Sequence, residues 1–233
     1  MKKRIPAPAV RKKPGPKVAV VMDDSGYNMN NIDEVFDIKR PITLSILPNL
    51  TYSTKIAQLG RLNGYEVILH LPLEPHREDI PEEVDTINSR MTKSEIAVRL
   101  KSAIESVPGV KGVSNHMGSK STEEKELMSV ILADLKKRRL YFLDSLTSEK
   151  SVVGEIAGLI GERHAQRDIF LDNSNNADDI RKQVLEMKAL AFKKGRVIAI
   201  CHDRKNTVKV LGEMMPGLAS EGIEFVTLSE LVR

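Results

Sequence analysis

Val18-Ala19-Val20-Val21-Met22-Asp23-Asp24-Ser25-Gly26 joins five consecutive apolar residues to two adjacent carboxylates and a Ser-Gly turn. An apolar run of this length, rich in β-branched residues, fits a strand buried on both faces, as in parallel sheets covered by helices. Such a strand delivers Asp23 and Asp24 to the edge of a sheet. Two like charges in a poorly hydrated site ionise together only at high cost, so the pair requires a metal ion, a shared proton or a substrate group beside it.

Seven further strand-like runs follow, at 42–47, 65–69, 110–114, 139–143, 168–171, 197–201 and 223–228. Helical patterns separate them, at 52–62, 92–107, 122–137, 152–163, 177–194 and 214–221. The second begins with Thr92 and Glu95 at capping-box spacing, and Ile96, Leu100, Ala103 and Ile104 share one face. Asp178 and Asp179 stand in the first turn of the 177–194 helix, where the helix dipole favours acids. The β-α alternation predicts an α/β protein, an irregular (β/α) barrel of about seven strands in preference to an open doubly wound sheet.

In either architecture function gathers at the carboxyl ends of the strands. Of five histidines, His70, His116 and His202 stand directly after apolar runs, and Asp144 and Asp24 end their runs in the same way. Recurrence at several strands points to a metal or catalytic site rather than to isolated structural residues. Two histidines and one carboxylate form the ligand set of many catalytic zinc sites, with an open position for water. Metal lowers the pKa of that water to about 7; a second carboxylate can then take its proton and an imidazole can protonate a leaving group. Asp23, Asp24, His70, His116 and His202 supply these groups. Cys201 is the single cysteine, so any metal is held by histidine and carboxylate. His76 and His164 sit in polar loop or helix-end contexts and are read as surface residues.

The chain of 233 residues suits one large domain, and 41% hydrophobic with 29% charged residues is ordinary for a globular protein. No apolar run approaches the roughly 18 residues of a membrane span. The formal net charge of +4 is concentrated at the start: seven Lys and Arg residues and no acid precede residue 18. The body is mildly acidic, with 4% aromatics and no basic-aromatic stripe, which argues against nucleic-acid binding. Residues 1–16, with Pro6-Ala7-Pro8 and Pro14-Gly15-Pro16, read as a basic, Pro-rich disordered tail or linker, and 17–233 as a single catalytic domain.

Six motifs occur in order: Met22-Asp23-Asp24-Ser25-Gly26, His70-Leu71-Pro72-Leu73-Glu74-Pro75, Asn115-His116-Met117-Gly118-Ser119, Phe142-Leu143-Asp144-Ser145, Arg167-Asp168-Ile169-Phe170-Leu171-Asp172-Asn173 and a late strand ending in His202. The order resembles the divergent polysaccharide deacetylases over roughly 17–233. The resemblance implies a deformed (β/α)₇-type barrel and a metal-dependent hydrolase, most naturally using zinc, that removes N- or O-acetyl groups from a polysaccharide or oligosaccharide. It implies Asp23 as base, Asp24 as metal ligand and His202 as acid, with His70 as a further ligand. Ordinary members take both histidine ligands from a His-x-x-x-His segment, which is absent here; two prolines separate His70 from His76, and the second ligand is assigned to His116 on the following strand. The usual arginine-proline segment that steadies the base is also absent, and Arg167 or Arg204 is the substitute. Glu74, Asn115, Asp144 and Arg167 are expected to bind substrate or orient the ligands.

The resemblance further implies an extracytoplasmic location in the periplasm or cell envelope, which requires a leader or anchor not recognisable in this chain. A second class fits the departures: a non-catalytic carbohydrate- or envelope-binding protein that keeps the barrel. A magnesium-dependent phosphate enzyme fits less well, because magnesium sites use carboxylates and water rather than histidine.

Overall fold

The computed structural model describes residues 15–77, 79 and 83–233. The basic tail lies outside the described residues except for Gly15 and Pro16, and the Pro16 carbonyl already accepts from the Glu224 amide. In chain order the elements are β1 (Lys17–Ser25), α1 (Ile32–Asp37), β2 (Thr43–Ile46), α2 (Ser53–Leu62), β3 (Glu66–Leu73), α3 (Lys93–Ser106), β4 (Gly112–Met117), α4 (Lys125–Arg138), β5 (Tyr141–Asp144), α5 (Val153–Ile160), β6 (His164–Gln166), β7 (Ile169–Phe170), α6 (Ala177–Lys194), β8 (Arg196–His202), α7 (Lys205–Ser220) and β9 (Glu224–Val226). Short 3-10 turns add Ser121–Glu123 and Leu228–Glu230. No described helix is long and apolar enough to cross a membrane.

All ladders are parallel, in the order β6-β5-β4-β3-β2-β1-β8-β7, with β9 beside the first residues of β1. The two ends of this order, β6 and β7, are consecutive in the chain with Arg167 and Asp168 between them. Three residue steps reach at most about 10 Å, so the sheet must curl until its edges nearly meet. The result is an irregular barrel with a seam between β6 and β7. His164 and Arg233 exchange backbone hydrogen bonds beside it.

Strand parity then sorts the side chains, because alternate residues face opposite sides of a sheet. Val18, Val20, Met22, Val67, Leu69 and Val197 point out under the helices. Ala19, Val21, Ile68, Leu143, Ile198 and Ile200 point in and form a second apolar cluster. Continuing the inward register brings Asp23 after Val21, His70 after Ile68 and His202 after Ile200. The barrel therefore has an apolar middle and a polar carboxyl-end rim.

Its opposite end is closed by a buried carboxylate. Glu66 Oε1 accepts from Thr43 Oγ1 at 3.1 Å, Tyr141 Oη at 2.9 Å and the Ser229 amide at 3.0 Å. Glu66→Ala is expected to destabilise the protein by about 3 kcal/mol, because it leaves buried donors without an acceptor. The denaturation midpoint measures this, and a loss below about 0.5 kcal/mol, the range of ordinary surface substitutions, would contradict it.

Several elements differ from the sequence expectation. There are nine strands, not about seven, among the described residues, and His164 lies on β6 rather than in a loop or helix end. The helix expected over 122–137 is split at Glu124, because Ser121 and Thr122 spend their hydroxyls on Ile87 and Gly118 carbonyls and hold a separate turn. α7 starts at Lys205, nine residues before the expected 214, and runs through Pro216; burial of Val208, Val210, Leu211 and Met215 outweighs the proline's lost hydrogen bond. α1 was not expected at all.

Candidate metal centre

Two adjacent residues of a regular strand face opposite sides, so Asp23 and Asp24 need a break in the pleat to serve one site. The register of β1 against β2 shifts between Met22 and Ser25, and Asp24 takes φ +63°. A left-handed residue within a bulge re-aims its side chain, and aspartate tolerates that region better than most residues. Gly26, at φ +132°, then turns the chain away. The same device recurs after His116, where Met117 and Gly118 both have positive φ and a Cβ on Gly118 would lie 2.8 Å from that of Leu73.

The bulge brings Asp24 to His70 on β3 and His116 on β4. Asp24 Oδ1 lies 3.3 Å from His70 Nε2 and 3.1 Å from His116 Nδ1, and the two nitrogens are 3.2 Å apart. Among the described residues Asp24 Oδ1 is buried without a hydrogen-bond partner. Three donor atoms with edges near 3.2 Å match one face of a tetrahedron with bonds of about 2.0 Å, the dimension of a zinc site with nitrogen and oxygen ligands. The three residues form the candidate metal group among the described residues. Burial would raise the Asp24 pKa, but His116 and His70 outweigh it and hold the carboxyl well below its ordinary range.

Behind this triangle the imidazoles are held by further polar groups. His70 Nδ1 is 2.8 Å from Ser114 Oγ, which is 2.8 Å from Ser45 Oγ. Asp23 Oδ1 lies 3.6 Å from the same His70 nitrogen and is buried without a hydrogen-bond partner among the described residues. Burial pushes the Asp23 pKa upward, with His70 opposing.

Across the β1–β8 ladder Asp23 pairs in register with His202. His202 is fixed by Asp172, whose Oδ1 is 2.8 Å from His202 Nδ1 and whose Oδ2 accepts from the His202 amide at 2.8 Å and from Thr207 Oγ1 at 2.7 Å. Asp172 is fully buried, but its ring and hydroxyl partners keep its pKa low. Burial alone would lower the His202 pKa; the Asp172 carboxylate outweighs it, and the net shift is upward. The ring also stacks on Phe170, with centroids 6.0 Å apart. Sequence reasoning quoted Asp172 within a motif but gave it no role, although Ile169-Phe170-Leu171-Asp172 ends an apolar run as Asp144 does.

The remaining candidates surround this rim. Glu74 is buried and binds Lys120 Nζ at 2.8 Å and the amide and hydroxyl of Ser89, which pins the loop after β3. Asn115 donates to the Met117 carbonyl at 2.7 Å and accepts from the Ser145 amide at 2.8 Å, holding the turn that follows His116. Asp144 accepts from the Leu146 amide and Ser151 Oγ. Arg167 donates to the Ser145 and Leu146 carbonyls with its guanidinium 3.8 Å over the Phe170 ring, and Arg204 donates to the Asp172 carbonyl. The hydrogen bonds of both arginines thus run to backbone carbonyls, and the close neighbour of Asp23 is the His70 imidazole at 3.6 Å. His76 is exposed beside Glu123.

A parallel barrel with an aspartate and two histidines converging on its rim defines a deacetylase-type barrel with a candidate metal triad. The chain belongs to the divergent polysaccharide deacetylase family, which it matches over residues 20–232. It is 35% identical over 216 residues to the uncharacterized protein YibQ of Escherichia coli strain K12, covering 93% of this chain and 67% of that one. It superimposes on the crystal structure of an uncharacterized protein from Agrobacterium tumefaciens C58 with a TM-score of 0.89, at 23% identity over 95% and 91% of the two chains. The same fold, at a TM-score of 0.60 and 14% identity over 93% and 87% of the chains, occurs in a peptidoglycan N-acetylglucosamine deacetylase.

Proposed function

We propose that the protein is a metal-dependent hydrolase that removes acetyl groups from a cell-envelope polysaccharide. The observation that carries this reading is Asp24 Oδ1, buried without a hydrogen-bond partner among the described residues and 3.1 and 3.3 Å from two imidazole nitrogens. Asp24, His70 and His116 are the residues that would hold the ion, with zinc the metal best matched to this donor set. When bound, the metal supplies an acidified water and polarises the acetyl carbonyl.

This chain's own groups do the rest. Asp23 accepts the proton of the attacking water. His70, with Nε2 on the metal side, keeps its proton on Nδ1 and donates it to Ser114 Oγ, which fixes the ring. Asp172 accepts the hydrogen bond from His202 Nδ1 and favours the protonated ring, whose Nε2–H protonates the departing amine or hydroxyl. Asn115 and Glu74 hold the two loops that flank the ligands.

Acetate release from N- and O-acetylated glycans tests the reading. Asp23→Asn is expected to lower turnover by about a thousandfold with metal content retained, since general-base catalysis contributes about 10²–10⁴. Turnover equal to wild type would remove Asp23 as the base. Among the described residues no guanidinium hydrogen-bonds Asp23, which favours a second reading, a carbohydrate-binding barrel that retains its metal. Glycan binding without acetate release across metals and substrates would favour it.

A further inference from the structure

A groove of about 950 Å³ runs between α1 and α7 and reaches the carboxyl-end rim at Asp203. Its near end is formed by Asp203, directly after His202, and by Asn31, whose Nδ2 donates to Asp203 Oδ1 at 2.8 Å. Ile38 and Val208 give it an apolar floor. Its walls carry opposite charge. Glu34 and Asp37 line the α1 side, and Lys205 and Lys209, one helical turn apart, line the α7 side.

The nearby ion pairs are made elsewhere: Arg181 takes Glu213 and Asp178, and Lys182 takes Asp179. Among the described residues Glu34, Asp37, Lys205 and Lys209 enter no ion pair, so the two walls face each other across the groove without meeting. A polyanion would be repelled by one wall and a polycation by the other. A ligand bearing both signs is attracted by both. Asn30 and Asn31 add amides that donate and accept, as peptide groups require. From Lys205 to Gly212 the α7 wall rises about 10 Å, the length of about three extended residues.

We propose that this groove binds a short peptide carrying both amino and carboxylate groups, attached to the glycan whose acetyl group is presented to the metal centre. The attachment to a glycan rests on the function proposed above; the charge preference rests on the groove alone. The substrate is then a peptide-bearing glycan strand rather than a plain neutral polysaccharide.

Calorimetry on the metal-loaded protein tests this with two probes. One is an N-acetylated disaccharide carrying a tripeptide with free amine and carboxylates; the other has the amine acetylated and the carboxylates amidated. The free form is expected to bind at least about tenfold tighter in low salt, with the advantage shrinking as salt rises. Lys209→Glu and Glu34→Lys are each expected to abolish the advantage. Gly212→Gln should obstruct both probes, because a Cβ there meets only Ile38 at 3.8 Å and the longer side chain enters the groove. Gly158→Gln, at an open helical position on α5, is the control for the substitution itself. Equal affinity for the two probes, or an advantage unchanged in Lys209→Glu, would overturn the proposal. Discrimination between probes without acetate release upholds the groove and counts against the deacetylase reading. Acetate release without discrimination counts against the groove.

Discussion

Asp24→Ala is expected to abolish tight metal binding, lowering affinity by at least about a hundredfold, because loss even of a residue that merely orients a ligand costs 10–100-fold. The wild-type triangle has all three donors in place before any ion arrives, at mutual distances of 3.1 to 3.3 Å. Binding to such a site orders little and adds directly to stability: an ion at a thousandfold excess over its dissociation constant stabilises the fold by about 4 kcal/mol. For a domain of this size that is a rise of about 10 °C in Tm. The rise should be reversed by chelator and absent in Asp24→Ala and His116→Ala. The two variants differ without metal. Asp24→Ala removes a carboxylate whose charge raises the pKa of Asp23, whereas His116→Ala leaves Asp24 with His70 alone. The metal-free His116→Ala protein should therefore be the less stable of the two. Metal content and metal-induced thermal shift equal to wild type in both variants would exclude the triad as the binding site.

The triad was legible because each member ends an apolar run, and parallel strands in a barrel bring their carboxyl ends together. Val18 to Met22 are at most 1% exposed, as a continuous apolar strand requires. The face each residue takes was not legible: Val67-Ile68-Leu69 and Val197 to Cys201 are unbroken apolar runs, and only the folded barrel puts Ile68 with His70, and Ile200 with His202, on its inner side. What could not be read is equally physical. The barrel's seam is made by β6 and β7, of three and two residues, and His164-Ala165-Gln166 has no strand signature; its pairing is imposed by β5 and not by its own side chains. The bulge at Asp24 depends on the register of β1 against β2, a tertiary property, although Ser25-Gly26 marks a turn nearby. Glu74, Asn115 and Asp144 were recognisable as rim residues, but their partners, backbone groups together with Lys120, Ser89 and Ser151 side chains, lie on loops whose paths no local pattern specifies. Asp172 passed the same strand-end test as Asp144. Its meaning appears only when the chain returns thirty residues later with His202.

That partnership gives the second large effect. Asp172→Asn is expected to cost about 10³–10⁴ in kcat/KM for acetate release, the range seen when the carboxylate orienting a catalytic imidazole becomes an amide. The substitution preserves volume, and Thr207 Oγ1 and the His202 amide still find an oxygen. With that oxygen in the place of Oδ2, His202 Nδ1 meets the amide NH₂ in the place of Oδ1 and must stay unprotonated, so the ring cannot become the imidazolium that the acid requires. Asp172 is therefore a positioning residue, and two readouts separate this from a loss of folding. The first is the pH profile: the acid must be protonated, Asp172 raises its pKa, and so the alkaline limb of kcat/KM should move to lower pH in Asp172→Asn. The second is linkage. A histidine whose folded pKa lies above its unfolded value near 6.5 adds stability that is fully present below pH 6.5 and disappears as pH rises through the folded pKa. The Tm difference between wild type and Asp172→Asn should thus be larger at pH 6 than at pH 9. A uniform Tm loss at both pH values, with the alkaline limb unmoved, would make Asp172 a structural residue and leave His202 without its proposed role as acid.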